Sequence, residues 1–396
     1  MLTQWEFQIP TRIRFGRGEL AHLGEEASLL GRRALIVGYR DRTGLERACD
    51  QAVESLRSAG VAVTEFYQIP PDPDAELAAR GARLAQDASI DVVIGLGGGS
   101  AIDAAKGIAA LVRMGGSLWD YTGANPESRP IDDALPLIAV PTTAGTGSEV
   151  SRVAVFTHHG VGSQADCPIK ASVSGPAVQP RVALVDPDLT VGSPPSLTAA
   201  CGADALGHAI ESCMSRRASP LSSVIAGRAV GLIMRNLAQA VAAPHDPEPR
   251  ESLSLAATLA GTAFSAAGVT MTHAIAQAVG GVLHIPHGVG VAIGTPVNLK
   301  YNAAVCTDTY ASLAEACSIS GDSRESRAAA FVDRVIELLQ TVGLPDRIPL
   351  PADAPDDLAI QLARNAIEST PVPLQLNPIA IDEPALVTLF EELLAR

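Results

Sequence analysis

The stretch DVVIGLGGGSAIDAAK, residues 91–106, decides the fold, because an apolar run leads directly into three glycines and then into the start of a helix. Glycines let backbone N–H groups approach a phosphate closely, and a helix amino terminus adds about half a positive charge. Ser100 is placed to cap this helix, with Asp103 as the acidic partner of a capping box. A glycine turn that binds no ligand is the alternative interpretation.

The glycine spacing differs from the usual dinucleotide fingerprint. A strict GxGxxG is absent because Ser100 stands in place of the third glycine. The loop also follows the third apolar run of the chain, whereas the fingerprint of an ordinary Rossmann half follows the first strand. The sequence therefore predicts a phosphate-binding loop of a different lineage.

The apolar runs on either side of this stretch predict a parallel sheet. Buried strands are expected at 34–38, 61–67, 91–97, 136–143 and 181–186. Helical patterning occupies 45–58 and 75–87, and a further helix should follow Ser100. Strands that alternate with helices imply a parallel sheet covered on both faces. We predict a Rossmann-like α/β domain over residues 1–186.

The second half of the chain has a different pattern. Ala- and Leu-rich segments with helical spacing occupy 196–214, 220–242, 251–268, 270–280, 289–303, 307–319, 325–342, 355–368 and 383–395. These segments predict an all-α domain over residues 187–396.

Composition excludes several classes of protein. A net charge of −14 over 396 residues argues against a nucleic-acid partner, because a phosphate backbone needs a basic surface. The amino terminus has no apolar segment of signal-peptide length, so a cytoplasmic protein is expected. The six cysteines contain no CxxC pair and indicate no disulfide framework. Residues 252–299 lack Asp, Glu, Lys and Arg, but frequent polar breaks favour a buried helical core over a membrane span.

A second polar loop, PTTAGTGSEV at residues 141–150, directly follows a predicted strand. Ligands bind at the carboxyl ends of strands in open α/β folds. The hydroxyl groups placed there belong to Thr142, Thr143, Thr146 and Ser148. A threonine-rich turn without a ligand is the alternative. Two such loops on successive strands favour a dinucleotide over a mononucleotide.

The segment CGADALGHAIES places Asp204 and His208 one helical turn apart, on the same face. Small and apolar neighbours put this face in the interior, where a buried carboxylate needs a partner such as a metal. The alternative is that Asp204 and His208 form an ordinary side-chain pair on the exposed surface of a helix. Two of the three histidines in MTHAIAQAVGGVLHIPHG would complete a site suited to Zn²⁺ or Fe²⁺. Spacing alone does not choose a pair among His273, His284 and His287.

Taken in order, GGGSAIDAAK, PTTAGTGSEV, GADALGHAIES and HAIAQAVGGVLHIPHG resemble the motifs of the iron-containing (group III) alcohol dehydrogenases. IPTRIRFGRGEL and VALVDPDLT are also similar, and the resemblance covers the whole chain, most weakly over 305–396. It implies that residues 1–186 bind a nicotinamide dinucleotide and that residues 187–396 bind metal and substrate, with the active site in the cleft between the two domains. The implied reaction is hydride transfer between NAD(P) and a small primary alcohol/aldehyde pair. A divalent metal, Fe²⁺ first and Zn²⁺ second, would polarise the substrate oxygen. NAD is expected rather than NADP, and a homodimer is expected.

The resemblance also implies roles for individual residues. The metal ligands would be Asp204, His208, His273 and His287, and Phe264 would line the substrate pocket. The cofactor would contact Tyr39, Asp72, Gly97, Gly98, Gly99, Ser100, Asp103, Thr142, Thr143, Thr146, Ser151, Lys170 and Thr190. The three glycines and Ser100 would hold the pyrophosphate, and Lys170 would reach a cofactor ribose. Thr142, Thr143 and Thr146 would line the adenine and ribose side.

Two departures from the family pattern concern single residues. Many members have a histidine that moves the alcohol proton where this chain has Gln277, which cannot titrate. Either His284 substitutes or the proton leaves through water and the ribose hydroxyls, and Gln277 would then bind a polar group of the substrate.

Tyr39 replaces an acidic residue that favours NAD, and Arg40 next to it would tolerate NADP, although Asp41 could restore the preference for NAD. Asp72 stands where relatives often have Asn.

Residues 158–167 form a slightly long insertion and 369–378 depart from the family pattern near the pocket, so the substrate does not transfer from the family. Three other functions are alternatives. A dehydroquinate-synthase-like, metal- and NAD-dependent lyase would need basic residues around the metal for a phosphate-bearing substrate. Residues 252–299 provide none, which leaves only other segments of the chain to supply them. A maleylacetate-reductase-like enzyme is a second alternative. The third, a nucleotide-binding regulatory protein without activity, conflicts with the presence of four metal ligands.

Overall fold

A computed structural model describes residues 4–161, 168–350 and 354–394. In this part of the chain, six parallel strands form one sheet in the order β1-β8-β5-β4-β2-β3. The strands are β1 (Arg12–Phe15), β2 (Arg33–Tyr39), β3 (Ala62–Ile69), β4 (Val92–Gly97), β5 (Leu137–Pro141) and β8 (Val182–Val185). The expected α/β sheet is confirmed.

Helices cover both faces of this sheet because side chains alternate along each strand. They are α1 (Leu23–Leu30), α2 (Glu46–Ser58), α3 (Ala75–Asp87) and α4 (Gly99–Met114). Leu35 and Val37 of β2 pack in the core with α3 and α4, and Ala34 and Ile36 pack in the core with α1 and α2. Every residue of the central strand β4 is buried for this reason.

Three strands escaped the sequence analysis. β1 was missed because two of its four residues are arginines, which an edge strand can expose. The glycine loop therefore follows the fourth strand of the chain and not the third, as expected from the sequence. β6 (Val153–His158) and β7 (Ile169–Ser174) form an antiparallel hairpin. The predicted insertion belongs to this hairpin, and residues 162–167 of it lie outside the described part of the chain.

The second half is helical, as expected. Its helices are α5 (Pro195–Met214), α6 (Pro220–Ala242), α7 (Pro247–Ala267), α8 (Met271–Leu283), α9 (His287–Tyr301), α10 (Ala303–Ala316), α11 (Arg324–Thr341), α12 (Leu358–Ser369), α13 (Pro371–Leu376) and α14 (Glu383–Leu394). α7 begins earlier than predicted because Asp246 caps it and Pro247 takes its first position. The short α13 was not predicted because it contains two prolines. The boundary at residues 186/187 stays a prediction.

The two halves touch where the loop after β5 meets α7. A Cβ on Gly147 would lie 2.3 Å from the Cα of Gly261, so the two backbones are in direct contact. Gly147 also has a φ of +61°, which glycine adopts without strain. This contact brings the carboxyl ends of the sheet strands next to the helices that carry the histidines.

The uncharged run lies on α7, α8 and α9. Within the described residues, no single helix has the length and hydropathy needed to cross a membrane. The pair α7 and α8 meets these criteria only when taken together, and the two helices bend by 103° at their junction.

Candidate active site

Asp204 and His208 on α5 and His273 on α8 form a buried cluster whose ligand atoms all lie within 4.8 Å of one another. One carboxylate oxygen, Oδ1 of Asp204, is central. It lies 3.6 Å from Nδ1 of His208 and 3.4 Å from Nε2 of His273. Nε2 of His287, at the start of α9, lies 3.5 Å from the same oxygen, and its side chain is 27% exposed.

These distances fit a metal site better than hydrogen bonds. Four ligands about 2.0–2.2 Å from a tetrahedral metal lie roughly 3.3–3.6 Å from one another. Oδ1 of Asp204, Nδ1 of His208 and Nε2 of His273 are also buried without a hydrogen-bond partner in the described residues. A cation would satisfy all three atoms at once. The donor set of three imidazoles and one carboxylate suits Fe²⁺ or Zn²⁺.

Glu211 orients one of these histidines, and the sequence analysis did not identify it. Its carboxylate accepts hydrogen bonds from the backbone N–H groups of Thr270 and Thr272, at 3.0 and 2.9 Å, and it contacts Nδ1 of His273. The ring is thereby held with Nε2 toward Asp204. In the sequence, Glu211 stands seven residues after Asp204, which puts both side chains on the same face of one helix. This spacing is the pattern that could have identified Glu211 as a residue behind the metal ligands.

The electrostatics of the cluster favour a cation. Burial lowers the pKa of His208 to about 3, so this imidazole is neutral and keeps a lone pair for a metal. Burial acts in the same direction on His273, but the carboxylates of Glu211 and Asp204 outweigh it and raise the pKa of His273 to about 9. The two carboxylates surround His273 with negative charge, which a bound divalent cation would balance.

The start of α4 corrects the predicted capping box. Gly98 occupies the N-cap and no side chain caps the helix, because the helix begins one residue before Ser100. Oγ of Ser100 instead accepts a hydrogen bond from the backbone N–H of Asp72 at 3.3 Å. The carboxylate of Asp103 accepts hydrogen bonds from Oγ of Ser148 at 2.5 Å and from the N–H of Val155 at 2.9 Å. Asp103 thus ties α4 to the loop after β5 and to the hairpin.

The glycine loop and the threonine loop are in contact, as two loops on neighbouring strands should be. A Cβ on Gly99 would lie 2.5 Å from Cγ2 of Thr146, and a Cβ on Gly98 would lie 3.0 Å from Oγ1 of Thr143. The hydroxyl of Tyr39 also lies beside Gly98, 2.7 Å from that Cβ position. Burial raises the pKa of this phenol to about 12. No larger residue fits this junction without displacing its neighbours.

One cavity of about 560 Å³ connects the loops with the cluster. The predicted residues that line it are Asp72, Gly99, Ser100, Asp103, Thr146, Ser151, Lys170, Asp204, His208, Phe264, His273, Gln277 and His287. Those that do not line it are Tyr39, Gly97, Gly98, Thr142, Thr143, Thr190 and His284. Thr143 and Thr190 line a small separate pocket, and the N–H of Thr142 donates to the carbonyl of Gly97 at 2.9 Å.

The walls of the cavity combine apolar and polar groups. Phe264 stacks on His208 with ring centroids 4.3 Å apart. Nζ of Lys170 lies 2.6 Å from Oδ1 of Asp72, so this buried cation has its counter-charge. Gln277 is buried, and its Oε1 has no hydrogen-bond partner in the described residues. Such an oxygen is available to a ligand in the cavity.

The structure does not bring His284 to the cluster. His284 is exposed and ends α8 in the left-handed conformation, with a φ of 56°. Because the helix stops at Leu283, His284 no longer follows the face that carries His273 and Gln277. The geometry therefore speaks against His284 as the group that moves the alcohol proton.

Within the described residues, one cavity is lined both by a cluster whose donor atoms suit a cation and by a glycine loop at the start of a helix. This combination is typical of enzymes that use a metal and a nucleotide together.

Comparison with known proteins defines the family. The family model described as iron-containing alcohol dehydrogenase matches residues 10–187. The model of the Fe-containing alcohol dehydrogenase family, C-terminal, matches residues 198–394. The chain belongs to the iron-containing alcohol dehydrogenase family, and it is a metal- and NAD(P)-dependent oxidoreductase of alcohols and aldehydes.

Individual relatives agree with this assignment. The chain is 33% identical over 377 residues to an NAD-dependent methanol dehydrogenase of Bacillus methanolicus, covering 94% of this chain and 95% of that protein. It is 33% identical over 348 residues to a 1,3-propanediol dehydrogenase of Klebsiella pneumoniae, covering 87% and 88%. An archaeal halo-thermophilic alcohol dehydrogenase from a Red Sea brine pool superposes with a TM-score of 0.90 at 29% identity, covering 100% of both chains. The lyase and maleylacetate-reductase alternatives are not favoured.

Proposed function

We propose that this enzyme interconverts a small primary alcohol and its aldehyde with NAD(H) in the cavity between the glycine loop and the Asp204 cluster. The observation that carries the proposal is the convergence of three buried atoms without partners and a nucleotide loop on this one cavity. When bound, the divalent metal supplies a Lewis acid for the substrate oxygen.

The residues of the chain hold and orient the reactants. Asp204, His208, His273 and His287 hold the metal, and Glu211 fixes the ring of His273. Backbone N–H groups of residues 97–100 take the pyrophosphate at the start of α4. Lys170 takes a cofactor ribose, and the stack of Phe264 on His208 gives the reacting carbon an apolar wall that excludes water.

The remaining cofactor contacts fall into two groups. Thr146, Ser151, Asp72 and Asp103 face the cavity, and we assign them to the nicotinamide half of the cofactor. Tyr39, Thr142, Thr143 and Thr190 lie outside its lining and are assigned to the adenosine half. The carboxylate of Asp41 accepts hydrogen bonds from the backbone N–H and the hydroxyl of Thr43 at 3.0 and 2.7 Å. Asp41 is two residues from Tyr39, and we assign it the preference for NAD over NADP.

The proposal is tested by following NADH oxidation with simple aldehydes. The protein is assayed as purified, after chelation, and after refilling with Fe²⁺ or Zn²⁺. Activity should be lost on chelation and restored by refilling, and Asp204→Asn should bind no metal by elemental analysis. Turnover that does not depend on metal contradicts the proposal. A parallel measurement of kcat/KM with NADPH tests the cofactor preference, and a large advantage for NADPH contradicts the assignment of NAD.

The assembly, the location and the domain division also belong to the proposal. We infer a cytoplasmic homodimer, supported by the family resemblance, and a boundary near residue 187, supported by the change from strands to helices after β8. Analytical ultracentrifugation checks the homodimer, and a monomer at micromolar concentration would contradict it.

A further inference from the structure

Three arginines line the same cavity as the metal cluster: Arg129, Arg152 and Arg217. They come from separate loops, before β5, before β6 and after α5. None of them takes part in holding the metal or in the nucleotide loops. Their positive charges therefore need another explanation.

Two of these arginines are not neutralised. The side chains of Arg152 and Arg217 make no hydrogen bond or ion pair with the described residues. Arg129 differs, because its guanidinium lies 3.3 Å from Oδ2 of Asp120 and over the ring of Tyr121. Unpaired guanidinium groups beside a cavity attract an anion.

The carboxylates of the cavity are already engaged. Asp72 is paired with Lys170 at 2.6 Å, and Asp103 accepts hydrogen bonds from Ser148 and Val155. Asp204 belongs to the metal cluster. The cavity therefore offers two unpaired cations and no carboxylate free to neutralise them.

The two arginines lie at the mouth of the cavity. Together with Ser265 and Ala266, they also line a neighbouring outer cavity of about 730 Å³. The outer cavity holds carboxylates of its own, but none of them lies within 4.0 Å of the arginine nitrogens. These carboxylates belong to Glu6, Asp132 and Asp133.

The end of α7 lines the cavity beside both the metal cluster and the arginines. Phe264, which stacks on His208, directly precedes Ser265 and Ala266 at the end of α7. Residues of one helical turn span about 5 Å along the axis. Ser265 and Ala266, which line both cavities together with the arginines, therefore lie within one helical turn of the ring that stacks on His208.

We propose that the substrate is a short aldehyde or alcohol with an anionic group at the end opposite the reacting oxygen, held by Arg152 and Arg217. This proposal rests on the proposed function. Carboxylate, sulfonate and phosphonate share the chemistry, since each accepts paired hydrogen bonds from guanidinium. The anionic end stays unchanged in the reaction: the alcohol carbon gives a hydride to NAD⁺, the hydroxyl gives a proton to solvent, and the aldehyde forms. Substrates with a cationic end are disfavoured by the same charges.

The experiment compares aldehydes that differ in the charge of the far end. 4-Oxobutanoate, sulfoacetaldehyde and phosphonoacetaldehyde are assayed against the neutral pentanal and 4-oxobutanamide. At least one anionic aldehyde should exceed both neutral ones in kcat/KM by about tenfold or more, because a charge-paired contact is lost in the neutral compounds. The best of the three identifies the anionic group.

Arg152→Gln and Arg217→Gln test the two residues. Each should lower kcat/KM for the preferred anionic aldehyde about tenfold more than for pentanal, chiefly through KM. Arg181→Gln is the matched control, because Arg181 lines only the outer cavity and its loss should not change the ratio. Equal kcat/KM for charged and neutral aldehydes, or equal losses on both in the variants, overturns the proposal.

A binding measurement separates this proposal from the proposed function. 4-Hydroxybutanoate, 2-hydroxyethanesulfonate and 2-hydroxyethylphosphonate are titrated into the protein without NADH, and the change in Tm is compared with that caused by 1-pentanol. At least one anion should raise the Tm, and the doubly substituted R152Q/R217Q protein should lose that rise. If none raises the Tm, the anion site is refuted. If no aldehyde is reduced after metal loading, the proposed function fails, and the titration alone decides the arginine site.

Discussion

At the scale of single residues, Asp204 is the centre of the site because three imidazole nitrogens lie 3.4–3.6 Å from one of its oxygens. The arrangement depends on three helices, because α5 carries the carboxylate and one histidine while α8 and α9 carry the other two histidines. The oxygen is buried and has no hydrogen-bond partner in the described part of the chain. A bound cation would offset the free energy lost by burying these atoms.

Glu211 should act on the metal through His273. Glu211→Gln keeps the size of the side chain but removes the charge beside Nδ1 of His273, so metal affinity should fall about 10–100-fold. Competition with a fluorescent chelator measures this affinity directly. Glu149→Gln is the matched control, because Glu149 is equally buried but bonds Thr258 at 2.8 Å. The same loss in both variants would show a general effect of removing a buried carboxyl.

Gln277 should affect the choice of substrate and leave metal binding unchanged. Its buried Oε1 has no partner, so Gln277→Ala should change the relative kcat/KM values across a panel of alcohols by about 3–10-fold, the worth of one hydrogen bond. Metal content should stay the same. Gln239→Ala, which removes an exposed amide bonded to Asp246, is the control. Unchanged relative values in Gln277→Ala would rule out contact with the substrate.

At the scale of elements, the amino terminus of α4 packs directly against the loop after β5. The helix begins at Gly99 without a side-chain cap, so its first N–H groups remain available to a phosphate. This explains why the predicted capping role of Ser100 was wrong: a side chain bonded to those groups would compete with the cofactor.

Gly99→Ala should weaken cofactor binding. The new Cβ would lie 2.5 Å from Cγ2 of Thr146, so one of the two loops must shift and the affinity for NADH should fall by about tenfold or more. Fluorescence titration with NADH measures the effect. Gly227→Ala on α6 is the control, because no atom lies within 4 Å of its Cβ position. That variant should gain about 0.5–1 kcal/mol of stability. Unaltered NADH affinity in Gly99→Ala would contradict the assignment of the loop.

At the scale of the whole molecule, the metal site joins three helices that are far apart in sequence. α5, α8 and α9 contribute its residues, and each of the three packs against the other two. A ligand that binds only this packed arrangement stabilises the folded state by mass action.

Metal loading should therefore raise the thermal stability of the chain. At a free metal concentration of 100 times Kd, the gain is about 2.7 kcal/mol, which calorimetry detects as a higher Tm. Asp204→Ala should show no such rise. An equal rise in both proteins would mean that the metal binds elsewhere.

The sequence by itself determined the sheet strands around the glycine loop, the helices of the second half and the candidate ligands. Apolar periodicity and glycine placement are local properties, and motifs such as GADALGHAIES keep their spacing in any fold. The wrong predictions also came from local patterns. The arginines of β1 made an edge strand look unlike a buried one, and Ser100 fitted a capping pattern although Gly98 occupies the N-cap.

Only the tertiary structure decided which residues meet. It placed His287 beside Asp204 and left His284 exposed at the end of α8, a choice that spacing could not make. It also revealed Glu211 behind His273 and the unpaired Arg152 and Arg217 at the mouth of the cavity. The physical reason is that such contacts join residues from separate elements, and their distances follow from how helices and sheet pack against one another.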